Sequence, residues 1–158
     1  MASRSPVKRK GKRYQIELDE GLRRALRGLC EELRQLLLSE NPAADPDLAR
    51  LYPPAYPDDP LRNLDFERMA GDDLLRQRLA AIDVVAETAE AKTLTQDQLL
   101  AWLGAINNTR LVLGTRLDIT EESTEEDFAG DPAREGTFGL YMFLTWLVGN
   151  IVEVVSIT

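Results

Sequence analysis

The chain has 158 residues, 44% of them hydrophobic, enough for one domain with a real core rather than a disordered segment. It holds no histidine and one cysteine, Cys30, which excludes an internal disulfide, a cysteine-based metal cluster and acid–base chemistry by imidazole. The net charge of −8 is uneven: residues 1–13 carry six basic side chains and no acidic one, and removing those six from the 19 basic residues leaves 13 against 27 acidic ones, or −14.

The first stretch, SPVKRKGKRYQIELD, reads as two short strands about Lys10-Gly11, with Tyr14, Ile16 and Leu18 alternating on one face. No apolar run precedes it, so a secretory leader is not expected. Its basic residues Arg4, Lys8, Arg9, Lys10, Lys12 and Arg13 are the nucleic-acid candidates, because the acidic remainder of the chain repels phosphate. The same charges also serve a plainer purpose, as a solvated edge that discourages sheet-to-sheet pairing.

Asp19 is placed to cap a first helix over residues 19–40, with Leu22, Leu26, Leu29, Leu33, Leu36 and Leu37 as its apolar stripe. Arg23, Arg27, Glu31 and Arg34 are expected to face water, with Arg27 and Glu31 paired one turn apart. Cys30 sits at the edge of the stripe, as a packed small hydrophobe or as a redox residue. Residues 41–60 are rich in proline. Asp45 and Pro46 suit the start of a short helix, and residues 51–57 suit an extended strap that covers the core or docks a partner.

Residues 61–157 are expected to build the helical core. A short helix over 61–70 precedes a longer one over 72–91, which Asp72 and Asp73 favour through the helix dipole. Its stripe is Leu75, Leu79, Ile82, Ala86 and Ala89, with Asp83 at the border. The central helix spans 95–119. Thr95 and Gln98 form a capping box, Leu94 and Leu99 a staple across it, and Leu99, Trp102, Leu103, Ile106, Leu113 and Leu117 one stripe. Arg110 interrupts that stripe. It predicts a buried guanidinium paired with Asp83 or Glu153, with Asn107 closing the network; a ligand site is the alternative.

Five acidic residues between Glu121 and Asp127 make a solvated loop without the spacing of a calcium site. Asp131-Pro132 then starts a last helix that is apolar on nearly every side. Leu140, Leu144, Leu147, Ile151 and Val155 define one face, with Met142, Trp146 and Gly149 opposite as interface candidates. Asn150 and Glu153 argue against a membrane span, so this second face is expected to be covered by the hairpin, by the first helix or by a second subunit in a homodimer. The fold class is mainly α, a single-domain bundle of about five helices with a small N-terminal β-hairpin.

No phosphate-loop, dinucleotide, nucleophile-elbow or zinc-protease motif is present, so an enzyme, a cofactor and a small-molecule ligand are not expected. Residues 45–59, 94–119 and 139–148 together resemble an actinobacterial family catalogued as a domain of unknown function, which includes the oxidative-stress regulator AosR. The most specific part is W-L-x-A-I/V-N-x-x-R-L-x-L-G, matched by Trp102, Leu103, Ala105, Ile106, Asn107, Arg110, Leu111, Leu113 and Gly114. The resemblance implies a cytoplasmic, non-enzymatic transcription regulator that answers to oxidants and works with DNA and transcription-machinery proteins. In that regulator a disulfide joins cysteines four positions apart. Here Leu26 and Arg34 stand four residues to either side of Cys30, so that bond cannot form. An acidic helical module that binds only protein is the other reading.

Overall fold

The structure is a computed structural model and describes residues 5–39, 42–52, 56 and 58–156, apart from the side chains of residues 43, 67 and 68. Strands β1 (Val7–Lys10) and β2 (Arg13–Ile16) form the expected hairpin, and β3 (Thr93–Leu94) extends it to a three-stranded antiparallel sheet in the order β1-β2-β3. Helices α1 (Glu20–Leu37), α2 (Pro60–Thr88), α3 (Gln96–Arg116) and α4 (Pro132–Ser156) make the body, with 3-10 helices at Pro42–Ala44, Pro46–Leu51 and Glu125–Phe128. The fold is mainly helical, as the periodicities require.

The hairpin turns through Gly11-Lys12, and only Gly11 is left-handed (φ +62°). That conformation is open to glycine at no steric cost and matches the twist of the flanking strands. Tyr14, Ile16 and Leu18 point into the core, as their alternation predicts. β3 escaped the sequence reading because two residues are too few to show a period. Its Leu94 is fully buried beside Tyr14.

α3 is the central helix, in contact with α1, α2, α4, the sheet and the Pro46–Leu51 segment. Its capping box forms as expected: the Gln98 amide donates to Thr95 Oγ1 at 3.2 Å, and the Thr95 amide to Gln98 Oε1 at 2.9 Å. Leu99, Trp102, Ile106, Leu113 and Leu117 are buried; Leu103 is half-buried. The indole of Trp102 donates to Thr88 Oγ1 at 2.7 Å, which locks α3 to the end of α2. Gly114 lets the Pro46–Leu51 segment close over α3: a Cβ there would stand 2.6 Å from Arg50 Nη1 and 3.2 Å from Tyr141.

Several expectations are corrected. Residues 61–70 and 72–91 are not two helices; α2 runs unbroken through Gly71, whose cost of about 1 kcal/mol against alanine is too small to end a helix. Asp73 therefore lies mid-helix and takes an ion pair from Arg76 at 2.7 Å. On α2, Val85 is buried and Ala86 is exposed, so the stripe is one residue out of phase there. The 42–50 region forms two 3-10 turns, the second capped by Asp45 as predicted. Of the strap, residues 53–55 and 57 lie outside the described residues. Tyr52 and Tyr56 lie beneath the guanidiniums of Arg78 and Arg62.

The largest correction is Arg23. It does not face water but lies 8% exposed in the row Arg23, Leu26, Cys30, Leu33, Leu37, which is the buried face of α1. Its guanidinium has no carboxylate partner within the described residues. Instead Nε donates to Leu18 O at 3.0 Å, Nη2 to Ile16 O at 2.9 Å, and Nη1 to Ala89 O and Ala91 O at 2.8 and 2.7 Å. One of those acceptors, Ala89 O, caps the carboxyl end of α2, where unpaired carbonyls concentrate negative charge, and Ala91 O lies in the turn that follows. One side chain thus ties the hairpin exit, the start of α1 and the α2–β3 turn together. Arg23→Ala is expected to cost about 3–5 kcal/mol in urea unfolding, because each buried carbonyl stripped of its donor costs about 1–3 kcal/mol and the site relaxes only in part. Arg23→Lys should recover less than half of that loss, since a compact ammonium cannot reproduce the planar fork.

Candidate nucleic-acid interface

Pairing in the hairpin decides which basic residues share a face. Lys8 stands opposite Gln15, and Lys10 opposite Arg13, on the outer side of the sheet; Val7, Tyr14 and Ile16 occupy the inner side. Lys12 lies in the turn. Lys8, Arg9, Lys10, Lys12 and Arg13 are all exposed, while Arg4 lies outside the described residues.

These charges are unequally free. Lys8 reaches Glu17 at 3.7 Å with both side chains partly in water, a weak restraint. Arg13 lies flat along β3, donating to Thr93 Oγ1 at 2.9 Å and Thr93 O at 3.3 Å. Arg9 bonds the Gly11 carbonyl at 3.3 Å. Lys10 and Lys12 have no partner among the described residues. The structure therefore places the predicted basic residues other than Arg4 together on one small sheet, three of them on its outer face, with two ammonium groups at its tip.

The second candidate cluster does not assemble as expected. Arg110 is half-buried, and among the described residues its only partner is Asn107 Oδ1 at 2.8 Å and its buried Nε has no acceptor. Asp83 belongs to a different pair, bound by Arg34 of α1 at 2.6 Å, and Glu153 is exposed. Arg27 likewise turns from Glu31 to Glu90, at 3.3 Å. The cause is common to these shifts. α1 crosses α2 closely enough to compete for carboxylates that helix spacing alone assigns elsewhere.

On α4, Leu144, Leu147 and Ile151 are buried, with Leu140 and Val155 half-buried at the margins. Met142 and Trp146 are 48% and 40% exposed, and Gly149 is exposed beside them. The sheet packs near the far end of α4, where Ser5 Oγ donates to Asn150 Oδ1 at 3.3 Å, and neither it nor α1 covers that face. α4 is long and apolar enough by length and composition to cross a membrane. Between the 119–125 loop and the start of α4 lies an open groove rimmed by Glu125 and Glu135, neither with a partner among the described residues.

Cys30 is 2% exposed, packed against Thr109 of α3. Burial pushes its thiol up to about 11, against smaller opposing effects of the Thr109 hydroxyl and the Arg34 charge. The thiolate is the reactive form, so this residue is chemically quiet at neutral pH. Because the folded state holds the proton more tightly than the unfolded chain, stability is fully present below pH 9 and falls as pH rises toward 11. The pH-dependent loss is about 2–3 kcal/mol. Cys30→Ala should abolish that alkaline component in parallel denaturation curves, and thiol reagents should label the native protein slowly at pH 7.

Comparison with known proteins adds identity without activity. No curated protein and no solved structure matches the chain. The family profile of DUF2017, a domain of unknown function, matches residues 4–155, and the chain therefore belongs to the DUF2017 family.

Proposed function

We propose that this protein is a non-enzymatic, cytoplasmic regulator of transcription that contacts DNA through the outer face of its amino-terminal sheet. The observation that carries this reading is the placement of Lys8, Lys10 and Arg13 on one exposed face, with Lys12 at the tip, on a body of opposite charge. A sheet of this kind suits phosphate contacts, which position a protein without reading sequence. The surrounding acidic surface confines the contact to that sheet, so partner proteins of the transcription machinery would supply most of the specificity. The resemblance noted in the sequence supports a link to oxidative stress. The buried thiol of Cys30 and the lack of a second cysteine in this sequence support an oxidant response carried by such a partner over one made by a disulfide within this chain.

A second reading, a protein-binding module without DNA affinity, is favoured by apolar side chains that the fold leaves in water. Leu61 and Met69 on the first half of α2 are 77% and 83% exposed. Fluorescence anisotropy with a labelled duplex separates the two. Three phosphate contacts predict a slope of log K against log salt of about −3, and Lys8→Glu/Lys10→Glu/Lys12→Glu should remove it. Absence of binding at low salt would leave the protein-binding module.

A further inference from the structure

The exposed face of α4 has an order that this chain's own packing does not explain. Glu135, Gly139, Met142, Trp146, Gly149 and Glu153 follow one another at alternating steps of four and three residues, so they form one stripe along the helix. All six except Trp146 and Met142 are glycine or glutamate, and a Cβ added to Gly139 or Gly149 would meet nothing within 4 Å. Neither glycine is needed by the monomer, and each weakens the helix relative to alanine.

The spacing reads the same in both directions, and so does the order, except that Met142 and Trp146 change places. Turned antiparallel about an axis at the level of Leu144, Met142 meets the partner's Trp146, Gly139 meets the partner's Gly149, and Glu135 meets the partner's Glu153. A two-fold contact requires such self-complementarity, and a contact with an unrelated protein does not. We propose that α4 forms an antiparallel homodimer through this stripe, with the basic sheet of each subunit neutralising the glutamates at its ends.

Charge and area both call for the second half of that statement. Facing glutamates at each end of the helix pair repel, and a cation between them reverses the sign of the contact. Cations are carried by the same sheet: Ser5, just ahead of β1, bonds Asn150 near the carboxyl end of α4, β1 contacts α4, and Lys10 and Lys12, at the other end of that strand and in the turn, have no partner among the described residues. In the antiparallel pair the carboxyl end of α4 lies beside the partner's Glu135 and the groove rimmed by Glu125. As for area, the stripe is about 27 Å long at about 1.5 Å per residue and about 10 Å wide, so it covers roughly 300 Å² per subunit. A stable interface takes about 800 Å² per partner, so the sheet and the 119–125 loop must complete it.

This inference does not rest on DNA binding, and its test contains no nucleic acid. Analytical ultracentrifugation of the full chain should give a dimer at high micromolar concentration. Trp146→Asp should give a monomer with unchanged helical circular dichroism. Gly149→Ala, which favours the helix, should raise the melting temperature of the monomer while weakening the dimer. Lys10→Glu/Lys12→Glu and Glu135→Lys/Glu153→Lys should each weaken the dimer at least about tenfold, and their combination should restore it to within about threefold. A wild-type monomer overturns the proposal, as does a dimer indifferent to Trp146→Asp. Charge reversals that fail to compensate overturn the pairing of sheet and glutamates.

Discussion

The fold depends on a buried cation that has no counter-ion among the described residues. Arg23 is held by four carbonyls, two from the hairpin exit and two from the α2–β3 turn, of which Ala89 O caps the carboxyl end of α2. Desolvating a guanidinium costs several kcal/mol, which the dipole of α2 and four charge-assisted bonds offset only if all of them are in place. That condition makes Arg23 a specifier of geometry. It fixes where the hairpin leaves the sheet, where α1 begins and where α2 stops. An isolated two-stranded hairpin is marginal in water, so the basic face exists as a surface because Arg23 and Leu94 anchor the strands behind it.

The sequence made the helices legible where pattern and end signals agreed. Thr95 and Gln98 marked the start of α3, Asp19 that of α1, and Asp131-Pro132 that of α4; the stripes of α1 and α3 carried the core. What stayed hidden was set by contacts between elements. Arg23 lies on the same helical row as Leu26, Cys30, Leu33 and Leu37, and that phase was the one available signal; a charge on an apolar row reads as solvent-facing until its acceptors are known. Arg110 posed the converse case. Its position among leucines suggested burial and an ion pair, but the side chain is half-buried and bonds Asn107, while Arg34 holds Asp83.

The stretch of α3 that carried the resemblance follows the same logic. Trp102 bonds Thr88, Ala105 and Ile106 are fully buried, and Gly114 admits Arg50 and Tyr141. These residues seat the neighbours of α3, which is why they identify the fold and leave the activity open. The surfaces to which the proposals assign function lie elsewhere, on the outer side of the sheet and the outer side of α4. Both proposals draw on Lys10 and Lys12, so under them DNA and a second copy would compete for one pair of charges.

The claim that Arg23 makes the sheet part of the folded body is tested most directly by native-state hydrogen exchange. Strand amides such as Ile16, which donates to Lys92 O at 2.8 Å, should exchange only with global unfolding in the parent protein. In Arg23→Met the same amides should exchange by local opening while those of α3 stay protected. Fast exchange of the strands in the parent, or protection equal to that of α3 in the variant, would contradict it.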